Sequence, residues 1–410
     1  MKQDCRIYFV IVAGLGLTGF CAERTYPIVG TGQTRCYDNC SAIAPPVRGQ
    51  PFYGQDAQHP GLPAHYRDNG DGTISDLNTG LMWVKARGER STWDAAIAGA
   101  AACRIGQHND WRAPTIKELY SLINFAGGFH LHTADSQPYL DTTYFEFKYG
   151  AESKGERGIA CQDWSATEYT GAAMDGKVGA AFSNPTVFGV NFADGRIKGY
   201  PKTMRRRDGD TVNRTYVRYV RGNLQYGKND FHDNADGTIT DRATGLMWTK
   251  TDSGRGLNWE QALAYAGNLK LAGHADWRLP NAKELQSIVD YTRIPAINPL
   301  FQLSTLPDHN HPFYWTSTTH LDGPPDRQGS AVYVSFGRAL GWMQFPPGVG
   351  EYRLLDVHGA GAQRSDPKTG NPADFPHGRG PQGDVIRIYN YVRLVRGGSD
   401  CGVDRWQRGQ

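Results

Sequence analysis

The feature that most constrains this chain is an internal duplication. Residues 68–85 read DNGDGTISDLNTGLMWVK, and residues 233–250 read DNADGTITDRATGLMWTK, at a separation of 165 residues. Each copy also closes on a near-identical string, YVRYVRG at 216–222 and YVRLVRG at 391–397. A period of this length is far longer than a solenoid unit and corresponds to a complete domain. The chain is therefore predicted to carry two copies of one domain.

The duplication divides the chain into segments, and we expect each repeat to be an independent domain with its two ends close together. The predicted segments are a signal peptide (1–22), a lead-in (23–64), the first repeat (65–222), a linker (223–228), the second repeat (229–398) and a C-terminal tail (399–410). Sixteen residues separate Tyr200 from Tyr216, whereas 49 separate Trp342 from Tyr391. This excess contains residues 359–384, rich in Gly, Pro and charge, which are predicted to form a surface loop.

The local patterns within each repeat predict an α+β fold. Asp/Asn/Gly turns that separate short apolar runs indicate a hairpin at 68–85. Residues 91–103 and 258–271 have the composition of helices, and a second helix begins after Arg-x-Pro in each repeat. Thr115 with Glu118, and Asn281 with Glu284, have the spacing of a capping box.

The N-terminus is typical of an exported protein. Lys2 and Arg6 precede an apolar run at 7–20 that is too short to span a membrane, so a cleaved signal peptide is predicted. Cys21 follows a lipobox-like string, but Phe20 stands where a lipobox has a small residue. The chain is expected to be periplasmic, cell-surface or secreted, with lipid anchoring at Cys21 as the less favoured alternative.

Export permits disulfides. Cys103 aligns with Leu269 and Cys161 with Pro312, so the second repeat lacks both cysteines together. Joint presence or absence is expected of bonded partners, and a Cys103–Cys161 disulfide is predicted. The partners of Cys36, Cys40 and Cys401 stay open.

Two groups of residues are candidate binding sites. Clustered carboxylates at the hairpin turns suggest a calcium loop, although Asp and Asn also make turns without metal. The calcium candidates are Asp68, Asp71, Asp76, Asp233, Asp236 and Asp241. A basic cluster before the last strand of the first repeat suggests a polyanion site, with a merely solvated loop as the alternative. Its members are Lys198, Lys202, Arg205, Arg206 and Arg207.

Other repeated charges have simpler explanations. Glu118 and Glu284 could serve as acids in catalysis, but the capping box already accounts for them. The closing arginines of the two repeats could grip anions, but they are more often paired with internal acids. No catalytic residue is assigned.

The strings DGTISDLNTGLMWVK, NDWRAPTIKELYSLI, DWSAT and YVRYVRG, with their partners in the second copy, resemble the C-terminal domain family of the Legionella collagen-like adhesin. The resemblance covers about residues 26–398. It implies a C-type-lectin-like fold, export and, as in that adhesin, binding of sulfated glycosaminoglycans. The sugar-binding strings of C-type lectins are absent, and no collagen-like repeat precedes the domains, so calcium-dependent sugar binding and trimerisation do not carry over.

Two classes of function remain open beside the main expectation. We expect an exported, non-catalytic, adhesin-like binding protein for glycans or other anionic surface polymers. The alternatives are a structural envelope protein and an enzyme on the formylglycine-generating scaffold. A net charge of only +3 gives no reason to expect nucleic acid as a partner, and calcium is the sole cofactor considered.

Overall fold

The fold is seen in a computed structural model, in which residues 24–130, 132–171, 185–206, 209–308, 310–324, 328–345 and 349–397 are described. The predicted signal peptide and C-terminal tail, including Cys21 and Cys401, lie outside these residues. The lead-in segment contributes two short paired strands, β1 (Cys36–Tyr37) and β2 (Ala42–Ile43).

The first repeat consists of short strands around two helices. Its helices are α1 (Trp93–Ala102) and α2 (Ile116–Ser121). Its strands are β3 (Tyr66–Asp68), β4 (Thr73–Asp76), β5 (Leu81–Val84), β6 (Asp163–Glu168), β7 (Thr186–Asn191), β8 (Arg196–Pro201), β9 (Thr203–Arg206), β10 (Gly209–Val212) and β11 (Val220–Gly222). The predicted hairpin is β4–β5, and β11 from the closing string pairs with β5. The opening and closing motifs of the repeat are therefore adjacent.

The second repeat has the same plan with an addition. Its helices are α3 (Trp259–Asn268) and α4 (Ala282–Ser287). Its strands are β12 (Phe231–Asp233), β13 (Thr238–Asp241), β14 (Leu246–Thr249), β15 (Phe313–His320), β16 (Ser330–Ser335), β17 (Leu340–Phe345), β18 (Glu351–Asp356), β19 (Gln363–Pro367) and β20 (Val395–Gly397). The prediction of an α+β fold is confirmed, with strands predominating.

Local chemistry explains the elements that recur. Gly72 and Gly237 both have φ of 87°, which a turn between β3 and β4, or between β12 and β13, requires of a residue without a Cβ. The capping boxes predicted at α2 and α4 are both formed, so the orphan amides at these helix starts are satisfied. Trp83 and Trp248, on the inward faces of β5 and β14, are completely buried.

The two repeats share one sheet, contrary to the expectation of independent domains. The six-stranded order is β15-β16-β19-β8-β7-β6, and β19 of the second repeat pairs with β8 of the first through Gln363 and Ile197. Side chains also interlock across the boundary: the ring centroids of Phe188 and Tyr291 lie 4.9 Å apart. The largest core cluster includes residues of both repeats. The repeats therefore form a single packed body.

A pair of buried lysines joins the repeats symmetrically. The Nζ of Lys117 on α2 donates to the carbonyl of Ser287 at the end of α4, at 2.7 Å. Reciprocally, the Nζ of Lys283 on α4 donates to the carbonyl of Ser121 at the end of α2, at 2.8 Å. Each ammonium thus caps the carbonyl end of the other repeat's helix. The cavity beside them has a volume of ≈ 10 Å³, which is room for about one water.

The prediction of a surface loop at residues 359–384 is wrong in part. Ala362, Gln363 and Asp366 are fully buried because β19 forms half of the junction between the repeats. The register shows that Gln363 stands opposite Val334 as Ile197 stands opposite Val190. The counterpart of β8 is therefore β19, not the strand that contains Trp342. The additional element of the second repeat is the hairpin β17–β18.

The lead-in segment binds to both repeats. Gln33 exchanges two hydrogen bonds with the main chain of Thr319, each 2.9 Å long. Asp56 accepts a hydrogen bond from the hydroxyl of Thr318, and burial raises the pKa of the Asp56 carboxyl to about 6. The main chain of Thr31 accepts from the amide of Phe125 in the first repeat, at 2.7 Å. The lead-in is therefore part of the folded body.

Candidate functional site

Three residues of the basic cluster, Lys198, Arg205 and Arg206, lie on strands rather than in the predicted loop. Lys198 is on β8, where its Nζ donates to Oε1 of Gln382 at 2.9 Å, and burial lowers the pKa of the Lys198 ammonium to about 8. Lys202 follows β8, pairs with Glu168 at 2.9 Å and lies 3.5 Å from the ring centroid of Trp93. Both lysines already have intramolecular partners.

The arginines of the cluster belong to the hairpin that follows β8. Arg205 and Arg206 are consecutive residues of β9, opposite Asp210 and Gly209 of β10. Arg207 lies outside the described residues. The hairpin follows β8, an interior strand of the shared sheet, and forms a two-stranded sheet of its own. The arginines, rather than the two lysines, are the part of the predicted site that remains a candidate for anion binding.

Two of the six predicted calcium ligands, Asp68 and Asp233, stabilise the hairpin turns. Asp68 pairs with Lys85 at 2.6 Å, and Asp233 pairs with Lys250 at 2.5 Å. In each case the other carboxylate oxygen accepts an amide of the turn, from Gly70 and from Ala235.

The remaining four aspartates also accept hydrogen bonds from groups of the chain itself. Asp71 and Asp236 each accept the amide and the hydroxyl of the threonine two residues later. Asp241 is buried and accepts from Asn229 and Thr244, whereas the buried Asp76 has one oxygen, Oδ2, without a hydrogen-bond partner in the described structure. Among the described residues, no three His, Cys, Asp or Glu side chains are grouped as a metal site. The structure does not bring the six aspartates together as calcium ligands.

The recurrent glutamates and arginines are structural in both repeats. Glu118 and Glu284 receive two-pronged hydrogen bonds from Arg112 and Arg278, at 2.5–2.6 Å. Such pairs, together with the capping boxes, occupy both carboxylate oxygens.

The closing arginines have two different roles. Arg218 and Arg393 are fully buried and donate to main-chain carbonyls, including those of Lys85 and Lys250. Arg221 and Arg396 pair with Asp110 and Asp276 at 2.6 and 2.8 Å. The interpretation that the latter pair with internal acids is confirmed.

The predicted Cys103–Cys161 disulfide is wrong, because both residues are free thiols. Cys103 caps the C-terminal end of α1, but it is the N-terminal end that contacts β6, through Trp93 Nε1 donating to the carbonyl of Ser165. A ten-residue helix is about 15 Å long, so Cys103 lies at the end of α1 away from this contact. Cys161 is buried beside Asn191, and burial raises the pKa of its thiol to about 12.

A groove that the sequence interpretation missed lies along α3 in the second repeat. Its volume is ≈ 680 Å³, and its polar lining includes Arg255, Gln261, Tyr265, Asn268 and Lys270. The signal was available in the alignment, since Gln261, Tyr265 and Asn268 replace Ala95, Gly99 and Ala102 of the first repeat.

Comparison with known proteins gives one match. Neither the curated proteins nor the solved structures contain a match to this chain. Within the described residues, no helix is long and apolar enough to cross a membrane. The model of the Lcl C-terminal domain family matches residues 72–221 and 237–349, one segment in each repeat and together more than half of the chain. The chain therefore belongs to the Lcl C-terminal domain family, as a tandem pair of such domains.

Proposed function

We propose that this protein is an exported, non-catalytic, adhesin-like protein that binds glycans or other anionic surface polymers. Membership of an adhesin-like family supports the surface role. The two-helix plan of each repeat, with opening and closing strands paired, supports a variant of the C-type-lectin-like fold. Because the hairpin aspartates have intramolecular partners, the proposed binding does not depend on calcium.

The observation that carries the proposal is the position of the arginine hairpin. Arg205 and Arg206 are consecutive residues of β9, and Arg207 follows them in the sequence. β9 continues from β8, which lies in the middle of the six-stranded sheet. Three consecutive guanidinium groups suit an extended anion, since sulfate and carboxylate accept paired hydrogen bonds from guanidinium. The nearly neutral chain as a whole makes this local charge the main attraction.

The test is retention on a heparin column. Replacing Arg205, Arg206 and Arg207 with Ser should abolish retention while changing the melting temperature by no more than a degree or two. The β9–β10 hairpin is a separate two-stranded sheet, and substitutions away from the core cost about 0.5 kcal/mol or less. Binding of the unaltered chain should weaken steeply with salt, because exposed charges are screened over about 8–10 Å at physiological ionic strength.

A second triple variant controls for net charge. Arg35, Arg48 and Arg67 are exposed and lie elsewhere, so replacing them with Ser makes the same change in charge and should leave retention intact. Adding a calcium chelator should also leave it intact. Equal losses in both triple variants would refute a hairpin site, and an unaltered chain that does not bind heparin or any other anionic glycan would refute the function.

A further inference from the structure

The groove along α3 presents two cations without acidic partners. Arg255 precedes the helix and Lys270 follows it, and both side chains are exposed. Within the described part of the chain, neither forms an ion pair. The nearest acid in sequence, Asp252, is occupied: its oxygens accept from Ser304 and from the hydroxyl of Tyr314. The two positive charges are therefore available to an external anion.

Between the cations, the wall is mixed: polar and aromatic side chains of the helix lie beside the apolar Leu257, Ala264 and Leu269. Gln261, Tyr265 and Asn268 are spaced i, i+4 and i+7, so they share one face over about 10 Å of helix. Gln261 uses its Oε1 in the capping box and Asn268 its Nδ2 on the carbonyl of Ala264, which leaves one amide donor and one amide acceptor facing the groove region. Tyr265 is half-buried and packs against the core cluster of this repeat, which fixes its ring.

The first repeat shows that this groove is not a property of the scaffold. The positions of Gln261 and Tyr265 are held there by Ala95 and Gly99. A Cβ at Gly99 would lie 2.4 Å from the hydroxyl of Tyr219, so that side chain covers the equivalent part of α1.

The cation at the C-terminal end of α1 is also engaged. Arg104, the counterpart of Lys270, donates to the carbonyls of Ala101 and Cys103 at 2.7 and 2.8 Å. The position of Arg255 corresponds to Glu89 or Arg90, beside the one-residue insertion between the repeats, and Arg90 pairs with Glu156 at 2.6 Å. The same helix therefore offers neither an open groove nor a pair of free cations in the first repeat.

We propose that the α3 groove is a second binding site, specific to the second repeat, for an anionic saccharide. The proposal rests on the proposed function, and it places this second site in a different part of the molecule from the arginine hairpin. Arg255 and Lys270 bind sulfate or carboxylate groups, the amides of Gln261 and Asn268 bind hydroxyls, and the ring of Tyr265 packs against a sugar face. An open groove admits an internal stretch of a polymer as readily as its end.

The lining favours a saccharide over an acidic peptide. Peptides are commonly recognised by adding a strand to a free sheet edge or by placing apolar anchors in a groove. This groove has a helix for its wall and amide side chains between its cations. Amide groups both donate and accept hydrogen bonds, which matches the hydroxyls of a sugar.

The experiment measures the affinity of the full chain for a size-defined heparin hexasaccharide by calorimetry. Arg255→Ala with Lys270→Ala should weaken binding about tenfold or more, because each cation contributes a charge-assisted hydrogen bond. Tyr265→Ala should weaken it as well, whereas Tyr265→Phe, which keeps the ring, should bind nearly as the unaltered chain does. Melting temperatures within about two degrees of the unaltered chain establish that the variants are folded.

The matched control is Arg67→Ala with Arg104→Ala, an equal change of charge in the first repeat, which should leave affinity unchanged in a chain that retains its arginine hairpin. Loss in the groove variant but not in this control supports the proposal. Unchanged affinity in the groove variant, in a chain that binds the hexasaccharide, overturns the groove site and leaves the proposed function standing. No binding by the unaltered chain overturns the proposed function itself. Equally tight binding of polyglutamate, insensitive to Tyr265→Ala, overturns the saccharide as ligand.

Discussion

The two repeats keep the same internal skeleton but differ in how they handle charge around it. In both, an arginine just before the closing strand, Arg218 or Arg393, is buried and bonded to main-chain carbonyls. In the first repeat its surroundings contain the ion pair Arg87–Asp163, at 3.0 Å. In the second, the aligned positions hold Asp252 and Tyr314, whose carboxylate and hydroxyl are 2.6 Å apart. The acid lies on β6 in the first repeat and in the loop after β14 in the second, while the buried arginine keeps its position.

This difference teaches that the duplicated fold requires an acid near the buried arginine but not at a fixed position. What the fold fixes is the set of carbonyls that bind the guanidinium. The end of the hairpin supplies two of them in each repeat, and a loop supplies the third, at Glu146 or Gln302. Surface features are freer: α1 is covered by Tyr219, whereas α3 lines an open groove. The repeats are therefore alike in the carbonyls that bind the buried arginine, and different in the acid beside it and in the surface of the first helix.

The largest effect is expected from separating the repeats. Residues 229–397 expressed alone should lack a cooperative thermal transition, because they lose the β8–β19 pairing, the Phe188 contact with Tyr291 and the lead-in. Differential scanning calorimetry of this fragment beside the whole chain provides the measurement. A sharp transition with the enthalpy expected for its length would show that the shared core is dispensable.

A smaller effect should distinguish the two charge arrangements. Asp163→Ala leaves Arg87 and Arg218 buried without their acid and should destabilise the protein by about 3–5 kcal/mol. Tyr314→Phe removes one hydrogen bond to Asp252, which keeps its bonds from Ser304, and should cost about 1.5–3 kcal/mol. Denaturant unfolding measures both. A larger loss of stability in Tyr314→Phe than in Asp163→Ala would show that the Asp252–Tyr314 pair contributes more to stability than the Arg87–Asp163 pair.

The smallest effect is a dependence of stability on pH that arises at the contact between repeats. Burial lowers the pKa of Lys283 to about 7 and that of Lys117 to about 8, from an ordinary 10.5. Between about pH 7 and 9 the unfolded chain therefore binds more protons than the folded one, and stability should rise with pH. Melting temperatures across this range provide the test.

Lys283→Met is the informative variant, because it removes the lysine with the more strongly lowered pKa. The rise in melting temperature between pH 7 and 9 should be smaller in this variant than in the unaltered chain. Lys198 and Lys368, whose pKa values burial also lowers, account for a remaining slope. An unaltered chain whose melting temperature falls over the same range would contradict the prediction.

Much of each repeat could be predicted from the sequence alone, because it depends on neighbours in the chain. The hairpin turns follow from Asp, Asn and Gly at fixed spacing, and the capping boxes from Thr115–Glu118 and Asn281–Glu284. The duplication itself could be found by aligning the chain with itself. Membership of the family followed from the same strings.

The relation between the repeats was decided only by the tertiary structure. No local pattern indicates that β19 pairs with β8, because that pairing depends on the edges that two finished repeats present to each other. The predicted Cys103–Cys161 disulfide was wrong for the same reason. The joint absence of both cysteines from the second repeat says nothing about the distance between them in the first. The sequence predicted that Lys198 and Lys202 were available to bind an anion. In the folded chain they bind Gln382 and Glu168 instead. Composition determines which charges a chain has, and long-range packing determines which of them remain free to bind a partner.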